Sequence, residues 1–107
     1  MRKTEQLAIN EEVKDYVARL NRELSSARKI GQLRRCSADV YETENFYVLR
    51  SYGTIVACID KNTDTLVDFL RLVYGYTATS AQHISKFWTD YSKDHMCCRN
   101  FLRYYEV

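Results

Sequence analysis

Apolar residues fill residues 46–60 in a pattern typical of two β-strands joined near a glycine. Both sets of alternating positions carry β-branched, aromatic or aliphatic side chains, which fit a pleated surface. Gly53 lies between the two runs, where the absence of a Cβ lets the chain reverse. The pattern predicts a β-hairpin core over 46–60, with strands that are central in a sheet or covered on both faces.

A pattern with helical spacing precedes the hairpin. From Val13 to Ala27, apolar residues recur at i, i+3, i+4, i+7, i+11 and i+14, which predicts an amphipathic helix over about 10–30. Asn10 is the expected N-cap, and Gly31 is the expected residue just past the C-terminus. The apolar stripe either covers one face of the sheet or pairs with a second copy to form a homodimer. The first arrangement is favoured, because single helices commonly cover antiparallel sheets.

Two shorter segments complete the expected sheet. Residues 33–36 are expected to begin a further strand that residues 38–41 continue, and residues 42–45 have the composition of a turn. Residues 65–75 satisfy the periodicities of both a strand and a helix. Their position after a strand and a polar turn favours a third antiparallel strand, and the helical alternative stays open.

The C-terminal third of the chain predicts two helices. Thr79 and Gln82 have the spacing of a capping box, which begins a second helix over about 80–92. A short third helix is expected within residues 95–105. Together the patterns predict an α+β fold in a single domain, 1–107, with an N-terminal helix, a three- to four-stranded antiparallel sheet, a second helix and a short C-terminal helix.

Composition narrows the class of protein. Apolar residues make up 46% of the chain and charged residues 28%, as in ordinary globular proteins. The formal net charge of +2 predicts no nucleic-acid partner by bulk attraction. The apolar runs are far shorter than the ~20 residues that span a bilayer. Residues 1–3 are basic, but no apolar signal-peptide core follows them, so we expect an intracellular protein without a membrane segment.

The cysteines do not form a metal-binding motif. Cys36, Cys58, Cys97 and Cys98 lack the spacings of zinc ligands, so reduced structural thiols are favoured. His95, two residues before Cys97, leaves a metal site as the alternative.

Catalytic apparatus is also absent from the sequence patterns. The chain contains neither of the glycine-rich motifs that bind nucleotides, so no cofactor is predicted. His83 with Cys58 or Cys36 is the one pairing that an enzyme would use, and no neighbouring residues support it. We therefore expect a protein that is not an enzyme, and we assign no catalytic residues. A structural role is favoured for His83 over a functional one.

Tyrosine is the unusual component, with nine residues. Tyrosine and arginine are enriched at protein interfaces, because they combine contact area with a polar tip. A protein-binding module is therefore the favoured function. A small nucleic-acid-binding or regulatory module is the alternative, in which arginines form a basic stripe and tyrosines stack on bases. The candidate binding residues are Arg34, Arg35, Arg50, Tyr52, Tyr76, Lys86, Arg99 and Arg103.

Two motifs within residues 46–91 carry a family resemblance. The first is Ser51-Tyr52-Gly53-Thr54 leading into Val56-Ala57-Cys58-Ile59-Asp60, and the second is Tyr76-Thr77-Ala78-Thr79-Ser80-Ala81-Gln82-His83-Ile84-Ser85-Lys86-Phe87. They resemble the patterns S-Y-x-T-x-V-A-x-I-D and Y-S-x-T-T-x-x-H-I-x-x-F of small proteins from phages and mobile elements of Gram-positive bacteria, a family without an assigned activity. Thr77 replaces the usual serine and Ser80 the usual threonine.

The resemblance implies a mobile-element origin and the cytoplasm of a bacterial host. It brings no catalytic residues with it. Together with the small size of the chain, it suggests a host or phage protein as partner, such as a nucleoprotein effector. An inhibitor of a host defence nuclease, of the anti-CRISPR type, is the corresponding functional expectation.

Overall fold

A computed structural model describes residues 3–33, 38–73, 75, 77–93 and 100–106. Its helices and strands follow the order α1 Lys3–Glu23, β1 Arg28–Leu33, β2 Ala38–Glu42, β3 Phe46–Ser51, β4 Thr54–Asp60, β5 Thr65–Asp68, α2 Leu70–Val73, α3 Ala78–Tyr91 and β6 Asn100–Arg103. The strands form one sheet in the order β1-β2-β3-β4-β5-β6. The four strand pairs from β1–β2 to β4–β5 are antiparallel, and the fifth pair, β5–β6, is parallel. The α+β class is confirmed, but the expectation of three to four antiparallel strands was wrong, because the sheet is six-stranded and mixed.

The predicted hairpin over 46–60 is confirmed as β3 and β4. Ser51 pairs with Thr54 at its closed end. Tyr52 and Gly53 form the turn with φ angles of 52° and 81°. Two successive positive φ angles give the turn a twist that matches the strands it joins. A register shift between Leu49 and Arg50 marks a bulge close to the turn.

The two faces of the sheet carry separate cores. Val48 and Cys58 pack on the face covered by α1, and Leu49 and Ala57 pack on the face covered by α3. The prediction that the hairpin strands are covered on both sides is therefore confirmed. The apolar stripe of α1 packs on the sheet, which is the arrangement that the sequence favoured.

Helix α1 begins and ends earlier than the predicted 10–30. Asn10, the expected N-cap, lies within the helix and is buried. Its Oδ1 accepts hydrogen bonds from Gln6 Nε2 at 2.7 Å and from the Tyr105 backbone N–H at 3.2 Å, and its Nδ2 donates to the Tyr105 carbonyl at 2.7 Å. Asn10 therefore fixes the C-terminal segment to the helix instead of beginning it.

Residues 24–30, expected to finish the helix, instead form a short turn and the start of strand β1. Leu24 keeps helical spacing with the apolar stripe but packs on the core from a 3₁₀ turn, Leu24–Ser26, which also ends the helix. Gly31, the expected cap, lies in β1 opposite Val40. A Cβ at this position would lie 2.5 Å from Tyr91 Oη, so the missing side chain lets the end of α3 approach the strand.

The ambiguous segment 65–75 contains both predicted structures in turn, since β5 is followed directly by the short α2. The Asp68 carboxylate accepts the backbone N–H of Leu70 at 3.1 Å where the chain changes from strand to helix. The helix predicted over about 80–92 is confirmed as α3, but Thr79 is not its cap. Thr77 is the N-cap, because its hydroxyl accepts the backbone N–H of Ser80 at 3.1 Å.

The expectation of a short C-terminal helix within 95–105 was wrong for the residues of this segment that the structure describes. Residues 100–103 form β6, and residues 94–99 lie outside the described residues. Phe101 contacts Trp88 of α3, with ring centroids 5.5 Å apart, whereas Leu102 packs on the α1 side. Consecutive apolar residues are what a parallel strand with helices on both faces requires.

None of the helices in the described part of the chain has both the length and the apolar composition needed to cross a bilayer.

Candidate functional site

A groove of about 480 Å³ lies on the α1 face, between the 3₁₀ turn and the β3–β4 turn. Leu24 and Ile55 belong to the core beneath it and supply apolar surface. Polar atoms reach the groove from Tyr41, Arg50 and Thr54. The groove thus combines an apolar floor with a few polar groups, which is the usual make-up of a binding pocket.

Arg50 supplies the positive charge of the groove. Its side chain is exposed, and Nη1 donates a hydrogen bond to Tyr41 Oη at 3.4 Å. Asp39 lies opposite Arg50 across the strand pair, but its carboxylate binds Lys29 Nζ at 3.3 Å. Among the described residues, no carboxylate lies within ion-pair distance of the Arg50 guanidinium. This guanidinium is therefore available to an acidic ligand.

Tyr52 lies beside Gly53 on the β3–β4 turn, but it does not line the groove, because its ring packs against His83 on the α3 side of the hairpin. Its side chain is 47% exposed. The ring centroid lies 5.9 Å from that of His83, with the planes inclined by 37°. The contact with His83 orients the tyrosine while leaving about half of it open to solvent, as an interface residue requires.

His83 belongs to a buried hydrogen-bond network that fixes α3 to the hairpin. The Ser51 hydroxyl lies 3.1 Å from His83 Nδ1 and 3.3 Å from the Ser80 hydroxyl. All three side chains are inaccessible to solvent, so the Ser51–His83 pair has no route to an external substrate. Its geometry serves the attachment of α3.

The postulated Cys58–His83 pair does not form. Cys58 packs on the α1 face of the sheet, and His83 bonds to Ser51 on the α3 face. Burial raises the pKa of the Cys58 thiol, which keeps it protonated and unreactive. Cys36, the other proposed partner of His83, lies outside the described residues, as do His95, Cys97 and Cys98.

The structure separates the other predicted binding residues from this groove. Lys86, on α3, pairs with Asp90 at 3.1 Å on the opposite side of the sheet. Arg103, on β6, binds the Asp68 carboxylate at 3.0 Å and Tyr105 Oη at 3.2 Å. Among the candidates that the structure describes, Arg50 alone lines the groove, and Tyr52 lies on the adjoining turn with its ring against His83. Arg34, Arg35, Tyr76 and Arg99 lie outside the described residues.

Of the residues that line the groove, sequence reasoning had proposed only Arg50 as a binding residue and missed the others, among them Leu24, Tyr41 and Ile55. In the sequence, Leu24 continues the apolar stripe of a helix and Ile55 belongs to the apolar pattern of a strand, so neither residue stands out as a binding residue. Tyr41 meets Arg50 through the pairing of β2 with β3. The tyrosine-rich composition was the one available signal, since every tyrosine that the structure describes keeps part of its surface exposed.

Over the described ranges, histidine, cysteine and acidic residues form no group of three or more that is placed to hold a metal ion. Comparisons of the chain with protein-family models, with curated proteins and with solved structures find no match.

Proposed function

We propose that this protein is a non-enzymatic binding module that takes up a protein partner through the groove beside Arg50. The observation that carries the proposal is the exposed guanidinium without a carboxylate partner among the described residues, set above the apolar surface of Leu24 and Ile55. Interfaces obtain most of their affinity from such combinations of a charged group with a desolvated apolar pocket.

The groove favours a partner segment that places a carboxylate beside an apolar or aromatic side chain. The carboxylate would bind Arg50 with charge-assisted hydrogen bonds, in which the planar guanidinium offers two parallel donors. The apolar side chain would fill the space between Leu24 and Ile55. The volume of about 480 Å³ leaves room for one such anchor with its neighbours.

The charge distribution favours protein over nucleic acid as the partner. Several basic side chains on the sheet already neutralise acidic ones: Arg28 and Lys61 both bind Glu42, at 3.0 and 2.7 Å, and Lys29 binds Asp39. A nucleic-acid module needs a stripe of cations that stay free to replace counterions. Within the described residues the basic groups are interspersed with carboxylates instead.

The resemblance of residues 46–91 extends the proposal to a biological setting. A phage or mobile-element accessory protein acts in the cytoplasm of its bacterial host, where its partner is a host or phage protein. Inhibition of a host defence nuclease by binding to the effector, as anti-CRISPR proteins do, suits a small chain with a binding groove. This part of the proposal rests on the two motifs and on chain size.

Affinity capture with matched charge reversals tests the binding mode. The tagged wild type, Arg50→Glu and Lys86→Glu are each used to capture partners from a lysate of bacteria carrying the element. We expect the wild type and Lys86→Glu to retain the same stoichiometric partner. Arg50→Glu should weaken its binding by about tenfold or more, because it replaces a charge-assisted contact by a repulsive one.

Hydrogen exchange of the purified complex provides the second readout. Protection should appear over residues 24–27 and 50–55 and be absent around Lys86. Equal losses in both variants, or protection elsewhere, would contradict the assignment to this groove. Retention of the wild type on heparin at low salt, reduced in Arg50→Glu and falling steeply with salt, would favour the nucleic-acid module instead.

A further inference from the structure

A second cavity, of about 440 Å³, lies on the opposite face of the sheet from the groove. It opens between the end of α3 and the turn that joins β4 to β5. Tyr47, Ile59 and Tyr91 form its walls, Asp64 lines its interior, and the exposed Lys93 lies at its edge. The protein-binding proposal makes no use of this cavity.

Asp64 is the unusual residue of the cavity. Only 2% of its surface is exposed, and its φ angle is 53°. Oδ1 accepts the backbone N–H of Lys93 at 3.1 Å, which joins the end of α3 to the turn. Oδ2 is buried and accepts no hydrogen bond from any residue that the structure describes. A buried carboxylate oxygen without a donor is costly, and because Asp64 also lines a cavity, the two observations together point to a ligand that brings a donor.

The neighbouring charges leave the Asp64 carboxylate uncompensated. Lys61 also lines the cavity, but its Nζ is bound to Glu42 at 2.7 Å and to the Thr43 carbonyl at 2.9 Å. Asp90, the other carboxylate in the lining, is paired with a lysine on its own helix. Asp64 therefore forms no ion pair within the described part of the chain.

The walls add a preference for a positively charged ligand. The rings of Tyr47 and Tyr91 are inclined by 48°, with centroids 5.4 Å apart. The negative faces of such rings attract cations, and Lys61 Nζ already lies 4.9 Å from the centre of the Tyr47 ring. An inorganic ion is not favoured, because the described histidine, cysteine and acidic residues form no three-ligand group.

We propose that this cavity binds an organic cation with N–H donors, either a primary ammonium or a guanidinium group. One N–H donates to Asp64 Oδ2, and the positive charge lies against the tyrosine rings. The same chemistry is presented by free alkylamines and by the lysine or arginine side chains of a peptide. The inference stands on the second cavity alone and does not depend on the groove.

Titrations followed by ¹⁵N–¹H correlation spectra of the full chain test the site. The probes are n-butylammonium chloride and n-butylguanidinium chloride, with sodium chloride at matched ionic strength as the blank. We expect saturable shifts confined to the amides of residues 59–64 and 90–93. Absence of saturable shifts at these amides with both probes would overturn the proposal, and this result needs no variant.

Asp64→Asn is the decisive substitution. Asparagine tolerates the positive φ angle and keeps an oxygen for the Lys93 N–H, but it replaces the negative oxygen by a donor. Its affinity for both probes should fall by about tenfold or more. Asp15→Asn makes the same chemical change on the exposed side of α1 and should leave the affinity unchanged. Equal affinities in wild type and Asp64→Asn would refute the role of Oδ2.

Tyr47→Leu gives an independent arm, with an expected loss of about two- to fivefold from removal of the ring face. Acetylated and amidated Gly-Lys-Gly and Gly-Arg-Gly identify the source of the cation. Tighter binding of these peptides than of the alkyl probes assigns the site to side chains of a partner protein. Binding of the alkyl probes alone assigns it to small amines. Both results support the site, because each requires that the alkyl probes bind.

Discussion

The contact between Gly31 and Tyr91 provides a sharp test of how α3 is seated on the sheet. A Cβ on Gly31 would lie 2.5 Å from Tyr91 Oη and 3.8 Å from Cζ. The Tyr91 ring also packs against Tyr47 and Phe87, with centroid distances of 5.4 and 5.7 Å, so the hydroxyl cannot move aside freely. We expect Gly31→Ala to destabilise the protein by about 1–3 kcal/mol, the usual cost of overpacking.

The effect of Gly31→Ala on stability should change sign when Tyr91 is replaced by phenylalanine. Tyr91→Phe removes Oη and leaves Cζ at 3.8 Å, which is ordinary van der Waals contact. The positive-φ glycines of the described chain are Gly53 and Gly75, so the backbone at Gly31 accepts alanine. Alanine then stabilises by about 0.4–1 kcal/mol, because it restricts the unfolded chain. The coupling energy between the two positions should reach about 1.5–4 kcal/mol.

Urea unfolding of the wild type, both single variants and the double variant, monitored by circular dichroism, measures this coupling. Each kcal/mol corresponds to roughly 4–8 °C in Tm for a domain of this size, so thermal unfolding supplies a second readout. Tyr41→Phe is the control, since it removes a tyrosine hydroxyl on the opposite face of the sheet from Tyr91. If Gly31→Ala costs the same in the wild-type and Tyr91→Phe backgrounds, the close approach of α3 to β1 is refuted.

Other elements of the fold lead to further measurable expectations. Burial raises the pKa of Glu23, but its hydrogen bonds, led by those from Asn45, lower the pKa by more, so that the net pKa lies below 4.5. The stability that Glu23 contributes is therefore complete above pH 4.5 and is lost as the pH falls through the folded pKa. Glu23→Gln should therefore flatten the acid limb of the stability curve in urea titrations, and an unchanged limb would contradict this origin. His83→Ala should lower the free energy of unfolding in urea by about 2–4 kcal/mol, because it leaves a buried cavity and removes the hydrogen bond to Ser51. A decrease below about 1 kcal/mol would show that the hydrogen-bond network is dispensable. Cys58 should stay unmodified by iodoacetamide in peptide maps of the native protein and react after denaturation, and native labelling would contradict its burial.

The central hairpin could be predicted because its local signals agree with its tertiary setting. Apolar residues on both alternating sets indicate a strand covered on two faces, and β3 and β4 have α1 on one side and α3 on the other. Gly53 marks the turn for a steric reason that is local to the chain. No long-range information was needed for this part of the fold.

The strand at 28–33 could not be predicted, because its residues imitate the end of a helix. Arg28 and Lys29 resemble the basic last turn that complements a helix dipole, and Gly31 resembles a C-terminal cap. Pairing with β2 decides the structure, and the sequence contains no local sign of it. The N-cap prediction for Asn10 failed for the same reason. The sequence around a buried asparagine that binds Tyr105 resembles the sequence around an N-cap.

The candidate site was predictable only where its residues are neighbours in sequence. Arg50 precedes the turn and Tyr52 lies in it, so both belong to the hairpin that the sequence predicts. Tyr41 joins them through strand register, and Leu24 through the point at which α1 ends. Asp64 had the composition of a turn residue, and its burial depends on the end of α3 packing over the β4–β5 turn.

The open surfaces have a common geometric cause in the ratio of helices to strands. Six strands at ~4.8 Å spacing make a sheet about 24 Å wide, whereas one helix covers about 10 Å. Helix α1 packs mainly on β5 and β6, reaches Phe46 of β3 and Asp60 of β4 through Tyr16, and ends at Glu23, which leaves the groove beside Tyr41, Arg50 and Ile55 uncovered. Helix α3 ends at Tyr91, next to the second cavity. An apolar sheet surface that its own helices cannot cover is stabilised when another molecule covers it, which is the physical reason for favouring binding over chemistry as the role of this chain.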